Sequence, residues 1–390
     1  MANETIGWVE DLASYARVVY DWKALRRPGK GVDYLSAQYR DQVRRIVEAL
    51  HPKRMKLRVA EVVEQTPSSK TLRMERVDGS FPPFRAGQYV NLYVTIDGVL
   101  TSRPYSISSL PGEQALDLTV RDRQGGFVAP HLISQIEAGA ELESSGPAGS
   151  FYYEPLIDGK DLVFIAGGSG VTPIYSMLRS LLGSDNGFKL NLIYGSRTPN
   201  DVIFGKELKK LAQEHKNLKY KLVISDPPKG FRGAKGLLDA ALLKKAVGKV
   251  AGKTFYVCGP NAMYDLVLPA LAELGVPQHK IKRELYGPPD DVTKQPGWPK
   301  AIKRNRKFNV TIGGKTFKAS AVEPLINSLE RNGVVVPALC RSGECSACRT
   351  KLISGKVYMP PDIGVRSTDI DFGYIHACVA YPISDIKVKI

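Results

Sequence analysis

Cysteine is scarce in this chain, with five in 390 residues, and so few cannot form the disulfide framework that substitutes for a core in small secreted domains. Four of them fall in one spaced set and leave only Cys258 over, so a reducing, cytoplasmic setting follows. Long apolar runs are also lacking. None reaches the roughly 20 residues that cross a bilayer, and no membrane span is expected. The opening Met1-Ala2-Asn3-Glu4 has no basic segment leading into an apolar core, so it does not read as a secretory signal. No stretch interleaves basic and aromatic residues in the manner of a nucleic-acid module. The formal net charge of +16 is dispersed among acids and reads as solvated surface, so nucleic acid is not an expected partner. The length suffices for about two or three domains, each with its own core.

What is present begins at the four remaining cysteines. Cys340, Cys345 and Cys348 are spaced C-x4-C-x2-C, and Cys378 follows at a distance, which is the ligand spacing of a plant-type [2Fe-2S] cluster. Three thiolates must converge on one small group from a tight loop while the fourth arrives from another stretch of backbone. Gly343 can take positive φ, and Ser342, Ser346 and Ala347 keep bulk away while backbone N–H groups point at sulfur. A zinc site is the competing reading, but zinc ligands commonly come as paired C-x2-C units, and this chain has one such unit.

Ahead of the cysteines the texture changes three times. Residues 1–52 carry two amphipathic helical patterns, Trp8, Leu12, Tyr15, Val18, Trp22 and then Leu35, Tyr39, Val43, Ile46, Leu50, parted by Pro28, Gly29 and Gly31. They predict a helical extension packed on the body or on a second subunit, and an oligomer joined through it. Residues 53–155 alternate in short runs punctuated by Asp78-Gly79, Asp97-Gly98 and Pro111-Gly112, the pattern of an antiparallel barrel. Residues 156–288 alternate buried strands with helices, the pattern of a doubly wound parallel α/β sheet. Residues 289–307, rich in proline and with Lys300, Lys303, Arg304, Arg306 and Lys307, read either as a linker or as charges that steer an acidic partner. Residues 308–390 form the cysteine-bearing domain.

Two segments suggest ligands by their residues alone. In Arg103-Pro104-Tyr105-Ser106 a guanidinium can hold phosphate, a ring can lie against an isoalloxazine and a hydroxyl can reach its N5. In Gly167-Gly168-Ser169-Gly170-Val171-Thr172-Pro173, the glycines let backbone approach a pyrophosphate, Thr172 can cap the following helix and Pro173 suits its first turn. Pro173 occupies the last glycine position of the common dinucleotide fingerprint, so the general rule alone leaves dinucleotide binding open.

The flavin string, the turn Gly146-Pro147-Ala148-Gly149-Ser150-Phe151 and the segments that follow in order resemble the ferredoxin–NADP reductase superfamily. The cysteine segment Cys340–Cys348 and the strand Ala377–Pro382 resemble plant-type ferredoxins, whose domain is β-grasp-like. Flavin barrel, nucleotide domain and carboxy-terminal ferredoxin together resemble, over residues 56 to 390, the oxygenase-reductase class that includes phthalate dioxygenase reductase and phenylacetyl-CoA epoxidase reductase. The resemblance implies that Gly125, Gly126, Phe127 and Val128 approach the flavin pyrophosphate. Ala129 stands where a Ser or Thr is usual, which leaves both FAD and FMN open. It implies that Gly168, Gly170, Thr172 and Pro173, then Ser196 and Arg197, then Cys258, Gly259 and Pro260, form the nicotinamide site. Cys258 would sit beside the nicotinamide C4, or else be a small buried apolar residue. Tyr286 would screen the flavin, or else be a packing residue. Ser196 and Arg197 could receive a 2′-phosphate, yet Asp201 nearby would repel one; the reading is NADH, with NADPH as the alternative. The chain is expected to pass electrons from nicotinamide through flavin to the cluster and on to a redox protein: an oxygenase, a monooxygenase or another metalloenzyme. An electron-transfer subunit of a larger complex, or reverse flow from a low-potential donor, is the alternative.

Overall fold

The structure, a computed structural model, describes residues 36–50, 52–123, 125–184, 186–361 and 363–390. The expected helix over Trp8–Trp22 lies outside them. The chain divides into two units, Met1–Pro52 and Lys53–Ile390. In the first, α1 (Ala37–Leu50) starts where Ser36 accepts a hydrogen bond from the Tyr39 amide at 3.2 Å, an N-cap that satisfies one orphan donor. Its Val43, Ile46 and Val47 are exposed.

The second unit opens with β1 (Met55–Thr66), β2 (Ser69–Arg76), β3 (Tyr89–Ile96), β4 (Val99–Ser106), β5 (Leu116–Arg121), α2 (Ala129–Gln135) and β6 (Glu141–Ser144). The six strands run antiparallel in the order β4-β3-β6-β1-β2-β5. A bridge between Ile107 and Leu118 draws the two edges together, so the sheet curls into a barrel without a long open edge. Alternation does the sorting: Met55, Leu57 and Val59 of β1 are buried with Leu72, Met74 and Leu92, and Lys56 and Arg58 face outward. Asp97 and Gly98 both take positive φ, 50° and 76°, which is the two-residue turn that suits a right-twisted hairpin.

A parallel sheet follows: β7 (Asp161–Gly167), α3 (Val171–Leu182), β8 (Lys189–Ser196), α4 (Gly205–Glu214), β9 (Leu218–Ile224), β10 (Ala234–Lys235), α5 (Ala240–Val247), β11 (Thr254–Gly259), α6 (Asn261–Glu273) and β12 (Ile281–Leu285). Its order is β10-β9-β8-β7-β11-β12. Leu162, Phe164 and Ala166 of β7 pack with α3 and α4, whereas Val163 and Ile165 pack with α5 and α6. Both faces are therefore covered, as a parallel sheet requires. Strand order reverses between β7 and β11, and the carboxyl ends of those two strands form the crevice where ligands bind in such sheets.

The last part comprises β13 (Lys307–Ile312), β14 (Lys315–Ser320), α7 (Leu325–Arg331), β15 (Arg349–Ser354), β16 (Val357–Tyr358), α8 (Ser367–Asp371), β17 (Tyr374–His376), β18 (Tyr381–Pro382) and β19 (Ile386–Lys389). Five of the strands form a mixed sheet, β14-β13-β19-β15-β17, on which Leu325, Ile326 and Leu329 of α7 close the core. The stretch 289–307 is pinned to this domain. Trp298 packs edge-on against Tyr358 and Tyr381, and Arg304 pairs with Asp291. That pairing draws Arg304 out of the set of free charges considered for steering.

Candidate functional site

β4 carries Arg103, Pro104 and Tyr105 along one wall of a cavity of about 600 Å³ that also touches Gly125, Gly126, Phe127, Val128, Arg341 and Cys378, and Ser106, at the end of the strand, is buried behind that wall. The opposite wall is the loop entering α2. Gly125 takes φ +75°, and a Cβ on Gly126 would come within 2.8 Å of the Arg123 carbonyl oxygen, so glycine is needed at both positions for different reasons. The Gly146–Phe151 turn fits under the ring of Tyr89, because a Cβ on Gly149 would lie 2.8 Å from it. Burial above all, and Arg341 next, makes the positive charge of Arg103 costly and draws its pKa down to about 10, so at neutral pH it remains a cation in want of a counter-charge.

A second cavity, of about 570 Å³, lies at the carboxyl ends of β7, β8 and β11 and touches Gly168, Ser169, Ser196, Arg197, Pro260 and Met263. Gly170, Thr172, Pro173, Cys258 and Gly259 lie behind this wall. Gly170 is glycine because a Cβ would overlap the Cys258 carbonyl, and a Cβ on Gly259 would lie 3.1 Å from the Gly167 Cα. These glycines let two turns of the protein pack on each other rather than let a ligand approach. Thr172 does not cap α3. The helix begins one residue earlier, at Val171, after a tight turn over Gly168–Gly170, and the Thr172 hydroxyl donates to the Ser169 carbonyl at 2.7 Å. Asp201 does not face Arg197 either. It accepts from Ser68 and Thr198, and the acid beside Arg197 is Asp226, at 3.8 Å.

Tyr286 touches both cavities. Its hydroxyl is 2.9 Å from the Ser106 Oγ and is near enough to the Cys258 thiol to offset part of the rise that burial gives its pKa, so the three residues expected to shape the redox encounter meet at one point. Burial holds the Cys258 thiol and the Tyr286 hydroxyl neutral by raising both pKa values. Glu284, adjacent in β12 and paired in register with Cys258, was not singled out by sequence. Burial first, then Glu344 and Cys340, raises its carboxyl to about 8.

In the cysteine loop, Arg341, Gly343 and Ser346 all take positive φ, which folds the segment tightly enough for amide N–H groups to face sulfur. The amides of Ser342 and Cys345 both lie 3.4 Å from the Cys340 Sγ, and the Cys340 amide lies 3.5 Å from the Cys345 Sγ. Cys378 reaches the same place from the turn between β17 and β18, its sulfur 3.2 Å from that of Cys348. Hydrogen bonds from Cys345 and Cys378 favour the thiolate of Cys340, and the same bonds raise the pKa values of those two donors, so the sulfurs share protons that a bound metal would displace. A Cβ on Gly343 would overlap Ile363. His376 bridges the Gly343 carbonyl at 2.6 Å and Asp369 at 2.8 Å, the kind of outer support that orients metal ligands. Four convergent sulfurs, N–H donors and a glycine-shaped loop fit a [2Fe-2S] cluster, and a cation-lined cavity beside an aromatic strand fits a flavin nucleotide.

Between barrel and cysteine loop lies a polar contact that sequence reasoning missed. The Asn91 amide donates to the Ala338 carbonyl at 2.6 Å and to the Ser102 Oγ at 2.9 Å. The Thr101 hydroxyl donates to Glu330 at 2.9 Å, and Glu330 pairs with Arg341. All are buried. The partners on the two sides, Asn91 with Ala338 and Thr101 with Glu330, are separated by more than 200 positions, so no local pattern could have announced them.

Comparisons with known proteins agree in each third. Family models described as an oxidoreductase FAD-binding domain, an oxidoreductase NAD-binding domain and a 2Fe-2S iron-sulfur cluster binding domain match residues 56–153, 164–268 and 309–382. The NADH oxidoreductase HCR of Escherichia coli is 31% identical over 333 residues, covering 85% of this chain and 96% of that protein. The glycine betaine monooxygenase reductase subunit of Pseudomonas aeruginosa is 27% identical over 320 residues, covering 78% of this chain and 87% of that protein. Among solved structures, phthalate dioxygenase reductase shares the fold with a TM-score of 0.63 at 23% identity, over 86% of this chain and 98% of that one.

Proposed function

Because the chain belongs to the ferredoxin–NADP reductase superfamily, in its oxygenase-reductase class with a carboxy-terminal plant-type ferredoxin domain, we propose that it is the reductase component that supplies single electrons to an oxygenase-type metalloprotein. The chain is an oxidoreductase with FAD-binding, NAD-binding and [2Fe-2S] domains, and electrons pass from NADH through the flavin to the cluster. Flavin, when bound, exchanges a pair of electrons for two single ones. Relatives named as reductase subunits of monooxygenases support an oxygenase as the acceptor, and the thiols free of disulfides support a cytoplasmic setting.

One observation carries the reading: the two cavities share Tyr286, and the first of them runs on to Cys378. Arg103 holds phosphate, Tyr105 supplies an aromatic face, and the amides of the Gly125–Val128 loop line the pyrophosphate. Gly168, Ser196, Arg197 and Pro260 receive the dinucleotide, with Gly170, Thr172, Pro173, Cys258 and Gly259 fixing their backbone from behind. Asp226 beside Arg197 adds a carboxylate that disfavours a 2′-phosphate, in keeping with NADH. Tyr286 must leave Ser106 and Cys258 for a nicotinamide ring to enter, which costs about one neutral hydrogen bond of roughly 1 kcal/mol. Ser106 then offers its hydroxyl to the reacting edge, and Cys258 closes the apolar side against water. Cys340, Cys345, Cys348 and Cys378 hold the cluster.

The test is anaerobic mixing of the purified protein with NADH. Flavin absorbance is expected to bleach first and the cluster to follow. In Cys378→Ser the first step should persist while reduction of cytochrome c collapses. A Cys378→Ser variant that reduces cytochrome c at the unaltered rate, or a wild-type protein with neither yellow chromophore nor labile sulfide, rules the proposal out.

A further inference from the structure

Arg341 sits in the cysteine loop yet points away from the sulfurs. Its residue is 4% exposed, and its guanidinium meets Glu330 and approaches the Thr101 and Ser102 hydroxyls of the barrel at 3.4 Å. Its Nε and one terminal nitrogen have no hydrogen-bond partner. A buried guanidinium with two idle donors is costly unless something else receives them. Arg341 and Arg103 wall the same cavity and are close enough for Arg341 to depress the Arg103 pKa. Arg103 spends its own hydrogen bonds on the Thr101 hydroxyl and the Ser102 carbonyl, neither of them charged.

Among the described charged groups of this cavity, Arg331 is paired with Glu323 at 2.6 Å, Arg123 with Asp290 and Arg121 with Asp201 at 3.9 Å. Glu330 alone faces the two buried guanidinium groups of Arg103 and Arg341, which leaves one positive charge in excess. The ligand that completes such a site is an anion, and a phosphate accepts the planar fork of a guanidinium better than a neutral ring does.

We propose that Arg341 is a second phosphate-binding residue of the flavin nucleotide site, contributed across the domain contact by the cysteine loop. The inference rests on the reading of Arg103 as a phosphate holder. Its consequence is that the flavin site is complete only while the ferredoxin portion is seated on the barrel, so that a loop distorted by loss of its cluster also loosens the flavin.

The experiment strips flavin from the holoprotein, keeps the cluster, and titrates back riboflavin, FMN and FAD, reading Kd by flavin fluorescence. Arg341→Gln should weaken FMN and FAD by roughly 10- to 100-fold, the worth of a charge-assisted hydrogen bond, and leave riboflavin, which has no phosphate, unchanged. Equal weakening of all three ligands, or of none, overturns the proposal. Glu330→Gln should leave FMN affinity equal or tighter, because it removes the competing anion; a weaker Kd overturns the proposal, and this variant decides alone should Arg341→Gln fail to keep its cluster. Arg103→Gln separates the two claims. If it leaves FMN affinity untouched, the reading of Arg103 fails first; if it weakens FMN while Arg341→Gln does not, only the inference about Arg341 fails.

Discussion

Two short glycine-bearing turns face the expected cofactors, and they use their residues in opposite ways. In the Cys340–Cys348 loop the chemistry is carried by side chains, and the backbone is bent by left-handed residues, two of which, Arg341 and Ser346, are not glycine. In the Gly167–Gly170 turn the chemistry is carried by backbone, and the glycines satisfy the neighbouring turn: Gly167 clears Met263 at 2.6 Å and Gly170 clears the Cys258 carbonyl. A turn that binds by its side chains announces itself in sequence, because donor identity and spacing are the message. A turn that binds by amides announces only that it is small.

The largest effect should come from the cysteine loop. In Gly343→Ala a φ of 92° and overlap with Ile363 act together, and relief of the backbone strain requires movement of the loop that carries Cys340 and Cys345. The variant is expected to lose most of its iron and sulfide, measured by metal content and visible absorbance. Full retention of both would show that the loop is far more pliant than its geometry implies.

Next is Gly170→Ala. Its φ is ordinary, −62°, so backbone strain is not the issue. The added methyl meets backbone in β11, which cannot swing away, and overpacking of this kind costs about 1–3 kcal/mol. Thermal unfolding followed by circular dichroism should show a clearly lowered Tm. Gly125→Ala sharpens the contrast, because there nothing lies within 4 Å of the added Cβ and only the positive φ of +75° is strained. Its expected loss is about 1 kcal/mol. Equal losses in the two variants would erase the distinction between a packing glycine and a conformational one.

The same distinction explains what sequence could and could not reveal. The cluster cysteines, the hairpin at Asp97-Gly98 and the buried runs of β7 and β11 were legible, because ligand spacing, turn chemistry and apolar continuity are local. Strand β12 was not: Lys282, Arg283 and Glu284 interrupt it, and it is half-exposed at the sheet edge. Thr172 looked like a cap because it precedes a proline, but the turn before it absorbs the helix start. Residues 289–307 read as an interdomain linker from their prolines, and only the tertiary contact of Trp298 shows that the stretch is packed against Tyr358 and Tyr381. Glu330 and Arg341 meet the barrel through partners 229 and 240 positions away, a distance at which no spacing rule operates.

Tyr286→Phe tests the point where the cavities join. It keeps the ring and removes the hydroxyl that engages Ser106. If that hydrogen bond holds the ring in the path of the nicotinamide, NADH should enter more easily, with KM lowered up to about fivefold, the equivalent of roughly 1 kcal/mol, and flavin reduction at saturating NADH little changed. A raised KM would mean that the hydroxyl serves the nicotinamide instead of excluding it.

The smallest effect concerns Glu284, on the edge strand beside both turns. Its carboxyl is raised from an ordinary 4.5 to about 8, by burial first and then by Glu344 and Cys340. The folded protein therefore holds this proton more tightly than the unfolded chain does, and its stabilising contribution is complete below about pH 4.5 and is lost as pH rises through about 8. Glu284→Gln, which cannot ionise, should remove that part of the pH dependence and make the variant relatively more stable than wild type above about pH 8, with little difference near about pH 5. Tm measured across this window decides it. Parallel Tm curves for the two proteins would mean that Glu284 finds enough solvent at the edge of β12 to titrate normally, and the half-exposure of that strand would then outweigh the two carboxylate-like neighbours at its end.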